Sequence, residues 1–219
     1  MNYIGEFING LKNGKGILYY NKNDEYEREK YEGHFKDDKK EGKGILYYNN
    51  GDKYEGDYKD DNIEGKGKYC WNDGVIYEGD WINNKVRGKG ILYYNNGDIY
   101  EGDWKDNIKE GKGILYFSNG NIYEGDCKNN KREGKGIYYW NDGDRYEGDW
   151  KDNKREGKGI FYYKNGDKYE GYFKDNTIEG KGIFYYYNGD REIGNYLNDN
   201  KIGIHAKLSI AGEVTKNNY

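Results

Sequence analysis

Carboxylates recur in pairs along this chain, Glu101 with Asp103 and Glu147 with Asp149 among them, always two residues apart. On an extended strand such a pair falls on one face, near the separation that paired-acid hydrolysis uses. That chemistry needs one pair whose unequal surroundings drive its two pKa values apart. Here the Glu returns in every Tyr-Glu-Gly segment and an Asp follows it in five of them, so no pair is singled out. A Lys between two glycines recurs on a comparable face. The expectation is a solvated cross-strand ladder of Glu, Asp and Lys, and catalysis is not indicated.

The other reactive residue types lead no further. Gly-Lys-Gly is too short for a phosphate loop, which has four residues between its glycines and opens a helix. His34 and His205 stand alone without ligand spacing, so no metal site is expected. Turns such as Asn141-Asp142-Gly143-Asp144 lack the twelve-residue loop and closing Glu of an EF-hand. Cys70 and Cys127 replace aromatic residues at repeat positions and read as substituted core residues, not as a staple. No cofactor is implied.

Composition narrows the class. Ile, Leu, Val and Phe supply only 36 of 219 residues, whereas 28 Tyr, 5 Trp and 6 Phe raise the aromatic share to 18%. Tyrosine buries a large ring and keeps a polar tip, which suits a thin fold. Proline is absent and the net charge is only −4, so the chain does not read as disordered. With the charges interspersed and a pI near 5.5, no basic face for nucleic acid is expected. No apolar run approaches the ~20 residues of a spanning helix. The N-terminus shows no basic and apolar signal-peptide regions. A reducing, cytoplasmic setting fits best.

The elements that carry these residues follow from a repeat. Tyr-Glu-Gly begins at Tyr31, Tyr54, Tyr77, Tyr100, Tyr123, Tyr146 and Tyr169, every 23 residues. Gly-Lys-Gly and a turn glycine keep the same register. Residues 1–30 form a modified first unit with five extra residues between Asn21 and Lys30. Residues 31–191 hold seven regular units, and 192–219 a degenerate, capping unit. Atypical ends suit a stacked array whose terminal units each have a face without a neighbour.

Within one unit, Tyr146-Glu147-Gly148-Asp149-Trp150-Lys151 alternates with period two, a strand with one wet face. Asp152 to Glu156 reads as a polar connector, Gly157 to Tyr163 as a second strand, and Asn165-Gly166 as the hairpin turn. Nine such hairpins make an all-β antiparallel meander, a single-layer sheet curled into a groove. Tyr100, Gly102 and Trp104 are expected to share the concave face with Gly113, Leu115 and Phe117, rings lying over glycines. Ile114 and Tyr116 then face outward. The candidate groove residues are Phe35, Tyr58, Trp81, Trp104, Trp150 and Phe173, with Tyr100, Tyr123 and Tyr146.

The sequence Tyr-Glu-Gly-Asp-Trp-Lys, followed by Gly-Lys-Gly and a turn glycine at a 23-residue period, resembles the MORN (membrane occupation and recognition nexus) repeat over about 210 residues. Lys68, Cys127 and Val86-Arg87-Gly88 depart from the pattern locally. The resemblance implies an elongated, twisted antiparallel sheet. It also implies a scaffold or protein-interaction module, often near cytoskeleton or membranes and often a homodimer joined through terminal repeats. Phospholipid binding is also attributed to the family.

The leading functional reading is a non-catalytic scaffold that binds another protein. A peripheral phosphoinositide binder and an extracellular choline-binding adhesin are the alternatives. Net charge counts against the lipid reading, because anionic membranes reward basic patches. Ile202, Ile204, Leu208, Ile210 and Val214 form a C-terminal aliphatic cluster. It is expected either to fold over the last groove ring as a cap, the favoured reading, or to join two chains as a dimer contact.

Overall fold

The computed structural model describes all 219 residues, and every regular element in it is a β-strand. The chain divides into two compact units, residues 1–108 and 109–219. In the first, β1 (Asn2–Ile8), β2 (Leu11–Tyr19), β3 (Arg28–Lys36), β4 (Lys39–Tyr48) and β5 (Lys53–Lys59) lead to β6 (Asn62–Cys70), β7 (Ile76–Ile82), β8 (Lys85–Tyr93) and β9 (Ile99–Lys105). The second holds β10 (Ile108–Tyr116), β11 (Ile122–Lys128), β12 (Lys131–Tyr139), β13 (Arg145–Lys151) and β14 (Lys154–Tyr162). It continues through β15 (Lys168–Lys174), β16 (Thr177–Tyr185), β17 (Arg191–Leu197), β18 (Asn200–Leu208) and β19 (Val214–Asn218). Inside each unit every strand pairs antiparallel with the next in sequence.

The turns exchange the roles expected for them. The tight connection is Asp152–Asn153, both residues left-handed at φ 48° and 69°, the backbone of a two-residue type I′ turn. Asn and Asp tolerate that region better than other residues with a side chain. Strand β14 therefore starts at Lys154, inside the segment expected to be a connector. Asn165-Gly166 lies instead in the wider turn, where Gly166 N–H donates to Tyr163 C=O at 3.0 Å and only the glycine is left-handed.

The two glycines of Gly-Lys-Gly do different work. The first, Gly157 for instance, has φ 68° and sits at a β-bulge, where Asp149 accepts the following Lys158 N–H at 3.0 Å. The second lies under a ring. A Cβ on Gly44 would come within 2.2 Å of the Tyr31 hydroxyl, and one on Gly33 within 2.4 Å, so both must be glycine for the ring to lie flat. The Tyr31 hydroxyl then donates to His34 C=O at 3.1 Å. Tyr54, Tyr77, Tyr123, Tyr146 and Tyr169 repeat this arrangement.

Those rings are the core. In the first unit Tyr3, Phe35, Tyr31, Tyr58, Tyr54, Trp81, Tyr77, Trp104 and Tyr100 follow one another edge-to-face, their centroids 5.0–5.4 Å apart. In the second the same chain runs from Tyr123 through Trp150, Tyr146, Phe173, Tyr169 and Tyr196 to His205 and Tyr219. Each edge-to-face pair adds ~0.5–1.5 kcal/mol to the area it buries. Cys127 occupies a ring position and is buried.

The inserted residues between β2 and β3 are ordered by Asp24. Its carboxylate accepts Arg28 Nε and Nη2 at 2.9 and 2.8 Å, and also the backbone N–H of Tyr26 and Arg28. The Arg28 guanidinium stacks over Tyr20 and Tyr26.

Candidate functional site

On the face of the first unit opposite the rings runs a groove of about 1080 Å³. Its floor is the backbone of Gly16, Gly33, Gly44, Gly56, Gly67 and Gly79. A Cβ on any of these glycines would point away from the groove into the Tyr ring behind it, so the floor carries no side chain. Lys15, Lys43, Lys66 and Lys68 face Glu32, Glu55 and Glu78 along it, with His34, Ile17 and Ile45 between.

The charges form rungs. Lys43 meets Asp57 at 2.7 Å, Lys68 meets Glu78 at 2.6 Å, and Lys66 pairs with Asp80. Partial burial pushes the Asp80 carboxyl up. Lys66 and the Lys89 backbone N–H outweigh that and leave it below the usual carboxylate range. Lys15 pairs across the strands with His34, which stands where the next five repeats carry Asp. The repeated carboxylates are thus a ladder of exposed ion pairs. No three His, Cys, Asp or Glu side chains gather to hold a metal ion.

The nine rings named from the sequence lie elsewhere. Phe35, Tyr58, Trp81, Tyr100, Trp104, Tyr123, Tyr146, Trp150 and Phe173 are all buried, none more than 8% exposed, and none lines the first-unit groove. The ring face is consumed by ring-on-ring and ring-on-glycine packing, so the opening falls on the charged face.

The C-terminal aliphatic residues form no cap. Ile202, Ile204, Ile210 and Val214 are exposed, Ile204 at 67% and Ile210 at 79%, and Leu208 is half-buried. The last ring, Tyr196, is covered instead by His205 and then Tyr219. The C-terminal residues form strand β19, and Tyr219 exchanges both backbone hydrogen bonds with Gly203.

His205 and Glu192 were missed as partners. Both are buried, with Nδ1 of His205 3.3 Å from Oε1 of Glu192 and Nε2 2.8 Å from Asn195 C=O. Burial pushes the Glu192 carboxyl up, but hydrogen bonds from Lys201, Tyr186 and Tyr219 prevail and hold it below its ordinary range. The available signal was positional: Glu192 falls in the slot of the stacked Tyr, and His205 in the slot of the second glycine.

The MORN repeat family model matches residues 3–25, 31–53, 54–76, 77–99, 100–122, 123–145, 146–168 and 169–191. No curated protein matches the chain significantly. Among solved structures, the wild-type TCP10 domain of Danio rerio CPAP is similar at 10% identity and TM-score 0.50, covering 81% of this chain and 84% of that one. The same domain in complex with a peptide of Danio rerio STIL matches at 11% identity and TM-score 0.48, over the whole of both chains. The TCP domain of Drosophila melanogaster SAS-4 with a proline-rich motif of Ana2 matches at 13% and 0.47, over 71% and 84%. These likenesses concern the sheet, whereas the family model matches the repeat itself, eight times in register with the glycine pairs, stacked rings and bulges. The chain belongs to the MORN repeat family.

Proposed function

We propose that this protein is a non-catalytic scaffold whose first-unit groove seats an extended segment of a partner protein, within a larger cytoskeletal or membrane-associated assembly. The groove carries the proposal: a trough of about 1080 Å³ with a bare glycine floor and lysines and glutamates along it. Side chains of both signs with Ile17 and Ile45 match a polypeptide, whose backbone and mixed side chains can meet them. They match neither a phosphate backbone nor an anionic membrane, which reward one sign. A photo-crosslinking residue at Ile45 is expected to capture a partner from cells of the source organism, and one at Lys36 to capture none. Equal capture at both positions refutes the groove.

The exposed C-terminal aliphatic residues support a second element of this reading, self-association. Light scattering is expected to give a dimer for the intact chain and a folded monomer for Ile204→Asp with Val214→Asp. An intact chain of monomer mass removes it.

A further inference from the structure

Two lysines on the charged face of the second unit have lost the carboxylates that neutralise their counterparts. Lys112 and Lys135 meet Asp126 and Asp149 across the strands at 2.5 Å. The next two in the series, Lys158 and Lys181, stand opposite Tyr172 and Asn195 instead. Neither makes an ion pair, and Lys158 Nζ lies 5.7 Å from the centre of the Tyr172 ring. Beside them Tyr172 is 46% exposed, and Ile193, 50% exposed, occupies the row that carries Glu124, Glu147 and Glu170 in earlier repeats. A row that is neutral and polar upstream becomes cationic and apolar here.

We infer that the face around Lys158, Tyr172, Lys181 and Ile193 seats an acidic segment of a partner protein. Its side-chain carboxylates take the two places that the regular rungs fill with Asp. The spacing selects the conformation of that segment. Successive repeats stand two strands apart, ~9.6 Å at the usual strand separation. A polyproline II chain rises ~3.1 Å per residue with three residues per turn, so residues i and i+3 share a face ~9.3 Å apart. A segment with an acid at every third residue, crossing the strands, meets Lys158 and Lys181 in turn. Apolar residues between the acids meet Tyr172 and Ile193. A membrane surface fits less well, because Glu147 and Glu170 remain exposed in the neighbouring row. This face shares no residue with the first-unit groove, so either site can fail without the other.

Fluorescence anisotropy tests it with a labelled peptide of four Asp-Pro-Leu triplets and its Asn-Pro-Leu counterpart. The Asp peptide is expected to bind the full chain at least tenfold more tightly than the Asn peptide. Lys158→Ala with Lys181→Ala is expected to weaken it about tenfold, since each exposed charge pair contributes up to ~5-fold. Tyr172→Asp with Asn195→Asp rebuilds both rungs, keeps the fold, and is expected to weaken binding as much. Equal binding of the two peptides, or undiminished binding by the rebuilt-rung variant, overturns the inference. So does weakened binding after Lys43→Ala with Lys66→Ala, which would place the peptide in the first-unit groove. Cosedimentation with phosphatidylserine vesicles that the same lysine substitutions abolish, with no peptide bound, makes the face membrane-directed and also overturns it.

Discussion

Gly159→Ala adds one methyl group under a ring that has nowhere to go. The new Cβ would meet Tyr146 Cε2 at 2.4 Å, its hydroxyl at 2.5 Å and Cζ at 2.6 Å, all well inside van der Waals contact. Tyr146 is 0% exposed and is held edge-to-face between Trp150 and Phe173 at 5.4 and 4.9 Å. Its hydroxyl donates to Asp149 C=O at 2.9 Å. Lifting the ring gives up that hydrogen bond, ~1 kcal/mol, and weakens two ring pairs of ~0.5–1.5 kcal/mol each. The sum is about 2–4 kcal/mol. A chain of this size loses ~2–4 °C per kcal/mol, so melting is expected to fall by roughly 5–15 °C. Circular dichroism melts of Gly159→Ala, Tyr146→Ala and the pair together provide the check, because the three atoms nearest the added methyl all belong to that ring. In the Tyr146→Ala background Gly159→Ala is expected to be neutral or mildly stabilising, since alanine restricts the unfolded chain more than glycine. Additive losses, or a single Gly159→Ala that melts with the parent, refute the ring-over-glycine account.

Trp150→Ala, which also removes the indole N–H donated to Gly136 C=O at 3.1 Å, is expected to cost ~3–5 kcal/mol in denaturant titrations, whereas Lys151→Ala on the exposed side costs nearly nothing. The Arg28 guanidinium holds Asp24 down to about 2, so the order it gives residues 21–30 is complete above the ordinary carboxylate value and is lost as pH falls from about 4 to about 2. The Arg28 side-chain NMR signal is expected to shift across that window, and Asp24→Asn to open Tyr20 and Tyr26 to chymotrypsin at neutral pH. Deleting one whole repeat, Tyr146 to Lys168, is expected to leave a cooperatively folded shorter chain. Deleting Tyr146 to Lys158 leaves an odd half-hairpin and a broken far-ultraviolet spectrum.

The period, the strands and the side on which each ring falls were legible because three landmarks recur at one spacing and alternation has a fixed period of two. Trp104 and Gly102 were placed together from that alternation alone, and both are buried. The turn types were not legible, because Asn-Gly is the commoner local signal and outweighed Asp152–Asn153. Which residue fills a turn is decided by where the bulge at Gly157 places the register. Which face opens was hidden for a different reason: alternation sorts residues into two sets but does not say which set can pack on itself. The groove belongs to the set left over once rings and glycines have closed on each other. The terminal cluster misled because aliphatic residues read as interior. Yet His205 and Tyr219 continue the ring series and leave Ile202, Ile204 and Val214 outside.

Both rims of each unit are laced from one repeat to the next. On the tight-turn rim Asn84 accepts Ile63 N–H at 2.8 Å, Asn107 accepts Val86 N–H, and Asn153 accepts Arg132 N–H, each across 21 residues. On the wide-turn rim Asp52 accepts Asn72 N–H, Asn121 accepts Asn141 N–H, and Asp167 accepts Tyr187 N–H, each across 20. Every such bond refers only to the adjacent copy, never to an absolute place in the chain. A duplication or loss of any 23 consecutive residues, wherever the cut falls within the regular repeats, therefore restores the same set of partners. Recombination within the gene needs only to preserve phase. For a protein of this kind length is a quantity that selection can lengthen or shorten in whole steps, while Tyr172 and Asn195, which replace the Asp of earlier copies, make one stretch of that ruler unlike the rest.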